Sequence, residues 1–208
     1  MLPALIATDV DDTLLNDAER ISERTREAIL AAMAAGTKFV LATGRPPRWI
    51  RPVVDELGFA PIAVCANGAV IYDAATDRVI SARTLSVEVL AELAEIAARA
   101  VPGAGLAAER VGRSAYDSAT PQFVSAPGYE HAWLNPDNTE VSFEDVLSAP
   151  AVKLLVRKPG MASSELAAAL ANHIGVLGDI TYSTNQGLVE ISPIGISKAI
   201  GVQEVARP

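Results

Sequence analysis

Three short runs rich in apolar residues mark the first third of the chain, at Leu2 to Ala7, Lys38 to Ala42 and Pro61 to Cys65. Each has the length of a strand, and the first is typical of a strand buried on both faces in the middle of a parallel sheet. Residues 22–36 and 48–58 separate these runs and predict amphipathic helices that end at glycine. The order strand, helix, strand, helix, strand with short connections predicts an α/β fold with a doubly wound parallel sheet.

After residue 70 the pattern changes to a mixture of strands and helices. A hairpin is predicted at residues 70–83, followed by a helix at 87–100 and short strands within 104–127. A polar stretch follows at 128–150. A strand at 152–157, a helix at 163–173 and a strand at 180–183 come after it. We interpret residues 84–184 as an inserted α+β module. Residues 1–83 and 185–208 then form the core domain, with a strand at Leu188 to Ile191 and a helix over 199–206.

Composition and charge narrow the possible partners. The net charge of −8 argues against a nucleic-acid partner. No apolar run reaches the roughly 18 residues that a membrane span requires, and the N-terminus lacks a signal-peptide pattern. One cysteine excludes an internal disulfide framework and suits a cytoplasmic protein. Two histidines and one cysteine make a zinc site improbable, so oxygen ligands and magnesium are the natural alternative.

Polar residues follow each of the first three predicted strands. Asp9 and Asp11 follow the first, Thr43 and Gly44 the second, and Asn67 the third. Ligands of such sheets bind at the carboxyl ends of the strands, so these groups predict one site. Alternate residues of an extended segment share a side, and two neighbouring carboxylates repel one another unless a cation or proton lies between them. The simpler alternative is a solvated turn that caps the next helix.

Four segments resemble a known family when they are taken together. DVDDTLL at 9–15, TGR at 43–45, NGA at 67–69 and GISK at 195–198 are similar to the motifs of the haloacid dehalogenase superfamily. Their order and spacing resemble its Cof-type sugar-phosphatase branch, which has a Rossmann-type core and an inserted C2-type cap. Asp12 stands where many members of this branch have glycine.

The resemblance implies a catalytic role for three residues. Asp9 would be the nucleophile that forms an aspartyl-phosphate, and Asp11 the general acid and then the general base. Lys198 would neutralise charge on the nucleophile and phosphate. Mg²⁺ would be held by a carboxylate oxygen of Asp9 and the backbone carbonyl of Asp11. The expected activity is hydrolysis of a small phosphorylated metabolite, a sugar phosphate, with the cap choosing the substrate.

The substrate-binding residues implied by the same motifs are Thr43, Gly44, Arg45 and Asn67. Thr43 would hydrogen-bond the phosphoryl oxygens, although such a residue also suits a helix N-cap. Arg45 would either contact phosphate or pair with a neighbouring acid. Lys198 has the alternative of a solvated helix start.

The fourth motif of the family, an acidic turn that supplies a further metal-ligating aspartate, has no counterpart in the sequence. We therefore expect weakened magnesium binding and turnover. We also expect the strand Leu2–Thr8 to be left as an open sheet edge, which predicts either a homodimer paired through that edge or poor solubility.

Other functions are compatible with parts of this pattern. A phosphosugar mutase resembles this branch in core and cap, and a degenerate member would bind without turnover. A phospho-accepting receiver domain has a similar acidic pocket but no inserted module. Tyr129, His131 and Trp133 would either line the substrate or anchor the polar stretch that carries them.

Overall fold

The computed structural model describes residues 3–133 and 135–207, so Leu2 of the first predicted strand lies outside the described residues. The strands are β1 Leu5–Thr8, β2 Lys38–Ala42, β3 Ile62–Cys65, β4 Val70–Asp73, β5 Arg78–Ala82, β6 Gly105–Glu109, β7 Phe123–Ser125, β8 Asn138–Glu140, β9 Lys153–Arg157, β10 Asp179–Thr181 and β11 Leu188–Ser192. The helices are α1 Glu23–Ala34, α2 Arg51–Leu57, α3 Val87–Ala100, α4 Phe143–Leu147, α5 Ser163–Ile174 and α6 Lys198–Ala206.

The chain divides into two compact units. The first comprises Met1–Ala82, Arg113–Tyr116 and Ile196–Pro208, and the second comprises Arg83–Gly112 and Asp117–Gly195. In the described part of the chain, none of the helices has the length and apolar character that a bilayer crossing requires.

The first unit is built on a five-stranded sheet with the order β1-β2-β3-β4-β5. β1, β2 and β3 are parallel, whereas β4 and β5 form an antiparallel hairpin against β3. Because the three parallel strands run the same way, Asp9, Thr43 and Ala66 all begin at the same edge of the sheet. The α/β class and the parallel sheet predicted from the apolar runs are therefore confirmed.

Alternate side chains of β2 point to opposite faces of this sheet, and other parts of the chain pack against both faces. Val40 and Ala42 point to the face on which Val202 and Val205 of α6 pack. Phe39 points to the opposite face, where its ring meets Phe59 edge-on with the centroids 5.8 Å apart. Both faces of the strand are therefore packed, as is usual in a parallel sheet.

Among the described residues β1 lies at the edge of its sheet, as expected from the missing fourth motif, and not in the middle, as its apolar run alone predicts. Among the described residues it pairs with β2 alone, and Ala7 is exposed while Leu5, Ile6 and Thr8 are half-buried. A four-residue apolar run cannot distinguish an edge strand from a central one, because that difference depends on which distant strands pair with it.

The second unit contains a six-stranded, largely antiparallel sheet with the order β10-β11-β9-β6-β7-β8. Its main core joins α3 and α5 to one sheet face, with Leu90, Leu93, Leu154, Leu166 and Leu170 all fully buried. Within the predicted polar stretch, the structure contains both β8 and α4, which the sequence pattern did not reveal.

Two segments lie in a different unit from the one predicted. β11 was assigned to the core domain but pairs with β9 and β10, so it belongs to the second unit. Conversely, residues 113–116 belong to the first unit, where Val79 N–H donates to the Arg113 carbonyl at 2.8 Å. Backbone hydrogen bonds between distant parts of the sequence decide both assignments, and local periodicity carries no information about them.

Two of the three aromatic residues of the predicted polar stretch pack together. The Tyr129 ring lies 5.0 Å from His131 and 6.2 Å from Phe123, between centroids. Burial raises the pKa of the Tyr129 hydroxyl and lowers that of His131. Trp133 is 38% exposed. These contacts favour the anchoring alternative for Tyr129 and His131.

Candidate active site

The first acidic motif forms a wide turn directly after β1. Leu15 N–H donates to the Val10 carbonyl at 2.9 Å and closes this turn. Asp9 has extended backbone angles, and its Oδ1 accepts from the Val10 N–H at 2.8 Å. Inside the turn, Asp12 has a φ of 55°, which lies in the left-handed region. The turn therefore fixes the orientation of the Asp9 carboxylate at the carboxyl end of the sheet.

Lys198 is the residue that tertiary structure brings to Asp9. Its Nζ lies 2.6 Å from Asp9 Oδ2, although 189 positions separate the two residues in the chain. Lys198 is the first residue of α6, whose N-cap Ser197 accepts from the Ile200 N–H at 3.2 Å. A cation in the first turn opposes the helix dipole. The pairing with Asp9 offsets this unfavourable placement.

Two glycines allow α6 to come close enough for this contact. Gly68 follows β3 with a φ of 107°, and a Cβ on it would overlap the Ser197 carbonyl group. A Cβ on Gly201 would overlap the Val64 side chain and lie 3.3 Å from Gly68 Cα. Neither glycine was among the predicted site residues. For Gly201 the signal in the sequence was a glycine inside an otherwise helical stretch, a position that usually has a packing or functional reason.

The second and third motifs interlock through their backbones. Asn67 N–H donates to the Thr43 carbonyl at 3.0 Å, and Ala66 N–H donates to the Arg45 carbonyl at 2.9 Å. Gly44 lies against the Asn67 amide, since a Cβ on it would be 2.9 Å from Asn67 Oδ1. Thr43 is fully buried, and its Oγ1 accepts from the Arg45 N–H at 3.1 Å. The structure thus brings together the four residues predicted from TGR and NGA, with the Thr43 hydroxyl holding the turn.

Arg45 pairs with Asp11, which was one of its two predicted alternatives. Its Nη2 lies 2.6 Å from Asp11 Oδ1, and its Nε lies 3.0 Å from the same oxygen and 3.3 Å from Oδ2. The exposed carboxylate of Glu19 is 3.9 Å from Nη2. In this structure the guanidinium therefore contacts the predicted general acid.

The oxygens of the first motif are the donors available to a metal ion. In the described part of the chain, no three or more histidine, cysteine or carboxylate side chains cluster tightly enough to hold a metal. Mg²⁺ needs fewer protein side chains than that, because it is commonly bound through one or two carboxylates together with waters and substrate phosphate. Asp9 and Asp11 are hard oxygen donors, and their side chains are 40% and 54% exposed. This donor set fits magnesium and does not fit a softer metal.

A model of the haloacid dehalogenase-like hydrolase family matches residues 6–208. The chain belongs to the haloacid dehalogenase-like hydrolases. The superfamily predicted from the four motifs is thereby confirmed.

Curated relatives match the chain over shorter segments. YxeH of Bacillus subtilis is 38% identical over 95 residues, which are 44% of this chain and 35% of YxeH. Pyridoxal phosphate phosphatase YbhA of Escherichia coli is 31% identical over 96 residues, which are 46% of this chain and 35% of YbhA. The matched segments thus span about a third of the length of these relatives.

Solved structures share the fold over nearly the whole chain. TM0651 from Thermotoga maritima has a TM-score of 0.75 at 20% identity, and the match covers 98% of this chain and 74% of that one. BT4131, a haloacid dehalogenase subclass IIB sugar phosphatase, has a TM-score of 0.70 at 21% identity, with 98% and 74% covered. At this level of identity the likeness establishes the fold alone, and it agrees with the predicted fold class.

Proposed function

We propose that this hydrolase is a phosphatase that acts on a small phosphorylated metabolite through Asp9. The observation that carries the proposal is the 2.6 Å contact between Lys198 Nζ and Asp9 Oδ2 at the carboxyl end of a parallel sheet. A lysine at this position orients the carboxylate through an ion pair and offers positive charge where a phosphate dianion would bind. Phosphoryl transfer requires both, because charge on the phosphoryl oxygens must be neutralised while the nucleophile attacks in line.

In the first step, a carboxylate oxygen of Asp9 forms a bond to phosphorus while the bond between phosphorus and the leaving oxygen breaks. Asp11 donates a proton to that leaving oxygen, so the product departs as an alcohol. Lys198 holds the Asp9 carboxylate in place and neutralises developing charge.

In the second step, Asp11 accepts a proton from water, whose oxygen attacks phosphorus. The bond between phosphorus and Asp9 breaks, and inorganic phosphate leaves with Asp9 restored as a carboxylate. Division into two steps lowers the barrier that a single attack by water would face.

Asp9, through its carboxylate, and Asp11, through its backbone carbonyl, are the residues that would hold Mg²⁺. When bound, the ion supplies further neutralisation of the phosphoryl oxygens. The wide turn at 10–15 keeps the two residues adjacent at the sheet edge.

The proposed substrate class is a sugar phosphate or a phosphorylated compound of similar size. BT4131 is a sugar phosphatase, and YbhA is a pyridoxal phosphate phosphatase. Both substrates named by these relatives are small alcohols esterified with phosphate. We propose that residues of the second unit determine the specificity for one of these phosphate esters over another.

The test is phosphate release from p-nitrophenyl phosphate and from a panel of sugar phosphates, with Mg²⁺ and with EDTA. Asp9→Asn should lower kcat by at least about 10³-fold, because the amide is a poor nucleophile. Asp17→Asn, in the exposed loop that follows, is the matched control and should retain activity. Full activity of Asp9→Asn, or equal activity in EDTA, would contradict the proposal.

A further inference from the structure

Arg45 holds Asp11 asymmetrically. Asp11 Oδ1 receives two guanidinium contacts, from Nη2 at 2.6 Å and from Nε at 3.0 Å. Asp11 Oδ2 receives one longer contact, from Nε at 3.3 Å. The two carboxylate oxygens are therefore in different environments, and Oδ1 is the more strongly bound.

The backbone around Arg45 is fixed on both sides. Its N–H donates to Thr43 Oγ1 at 3.1 Å, and its carbonyl accepts from the Ala66 N–H at 2.9 Å. The Arg45 side chain is only 16% exposed, whereas that of Asp11 is 54% exposed. An exposed aspartate would otherwise sample several rotamers. The more buried partner is anchored, so it determines the orientation of the more exposed one.

This contact competes with a role in phosphate binding. Arginine binds a phosphate through two parallel N–H groups, in the same way as it binds a carboxylate. The edge formed by Nε and Nη2 is already directed at Asp11. The same edge cannot hold the phosphoryl group at the same time.

We propose that Arg45 is a positioning residue that clamps Asp11 Oδ1 and leaves Oδ2 to carry the proton. Oδ2 gives that proton to the leaving oxygen in the first step and takes one from water in the second. The inference rests on the proposed function, since it assigns the oxygen of Asp11 that performs the transfer.

If Arg45 positions Asp11, the loss of activity on removing Arg45 should depend on how basic the leaving group is. A weakly basic leaving group departs without a proton, whereas a more basic one needs general acid catalysis. Loss of the clamp should therefore penalise basic leaving groups selectively. Loss of a phosphate ligand would penalise all phosphate esters alike.

The experiment compares kcat/KM for substituted phenyl phosphates, from p-nitrophenyl to p-methoxyphenyl phosphate. These substrates have similar shapes, and kcat/KM reports only the steps through formation of the phosphoryl-enzyme. In Arg45→Met, the loss should be at least about tenfold larger for p-methoxyphenyl than for p-nitrophenyl phosphate. Asp11→Asn should show the same steepened dependence, and guanidinium ion should partly restore Arg45→Ala with the basic leaving group.

Arg51→Met is the matched control, because Arg51 also pairs with an aspartate, Asp55, but at an exposed position. It should leave the whole series unchanged. An equal loss across the series in Arg45→Met would overturn the positioning role and identify Arg45 as a phosphate ligand. An inactive wild type, or an active Asp9→Asn, would instead overturn the proposed function itself, and the role of Arg45 with it.

Discussion

Asp12 shows how a single backbone conformation shapes the first motif. Its φ of 55° lies in the left-handed region, which costs most residues about 1–2 kcal/mol and costs glycine almost nothing. Aspartate is among the residues that tolerate this region. Many members of the Cof-type branch, which this chain resembles, have glycine at the same position. The positive φ explains why either glycine or aspartate suits this position.

Substitutions at Asp12 should follow this conformational rule. Asp12→Gly should leave the free energy of unfolding within about 1 kcal/mol of the wild type. Asp12→Val should lower it by about 2 kcal/mol and also reduce kcat, because a β-branched residue would distort the turn that orients Asp9.

Urea unfolding and phosphate release are the measurements. Asp17→Val, at an exposed position of the same loop and without a positive φ, is the control and should change neither. A stable, fully active Asp12→Val would show that the turn does not constrain the site.

At the scale of elements, the position of α6 decides whether the site is assembled. This helix carries Lys198 at its first residue and contacts the sheet through Val202 and Val205. Gly68 and Gly201 remove the side-chain volume that would otherwise separate the helix from the turn after β3. Close packing of backbone against backbone therefore sets the distance between Lys198 and Asp9.

A methyl group at Gly68 should displace the start of α6. We expect Gly68→Ala to lower kcat by at least about tenfold, because the Ser197 backbone cannot yield without moving Lys198 away from Asp9. Gly36→Ala separates the effect of the clash from that of backbone strain. Gly36 also has a positive φ, of 96°, but apart from its own chain neighbours no atom of the described residues lies within 4 Å of its Cβ position.

Gly36→Ala should lose about 1–2 kcal/mol of stability and keep its activity. Circular dichroism and urea unfolding of both variants would establish that Gly68→Ala is folded when its activity is measured. Equal kcat values for the two variants would show that α6 tolerates the added methyl group without disturbing Lys198.

At the scale of the whole molecule, β1 bears on how copies of the chain associate. Among the described residues β1 pairs only with β2, so its other side presents backbone groups that no strand of the described chain satisfies. Such an edge can pair with a second copy. The homodimer expected from the sequence stays a prediction.

A charge placed on this edge should weaken the pairing. Ala7 is an exposed residue of β1, so Ala7→Lys should fit the monomer and repel a second β1 in a dimer. Light scattering over a range of concentrations should show the mass of a dimer for the wild type and of a monomer for Ala7→Lys. Ala75→Lys, in the exposed turn between β4 and β5, is the matched control. A monomeric wild type at all concentrations would refute the prediction.

Local sequence patterns were sufficient to predict much of this fold. The run at 38–42 and the periodicity over 87–100 predicted β2 and α3 with the bounds that the structure has. Ser22, a typical N-cap residue, opens the helical pattern over 22–36, and its side chain accepts from the Thr25 N–H at 3.1 Å. These features depend on neighbours a few positions apart, so the sequence contains what is needed to infer them.

What the amino-acid sequence determined by itself was the family, the α/β class and the motifs that meet at one sheet edge. Tertiary structure decided the rest: the sheet to which β11 belongs, the pairing of Arg45 with Asp11, and the approach of Lys198 to Asp9. The physical reason is common to all three. Each depends on which distant backbones can come close enough to pair or pack, and here a few glycines and strand registers decide that.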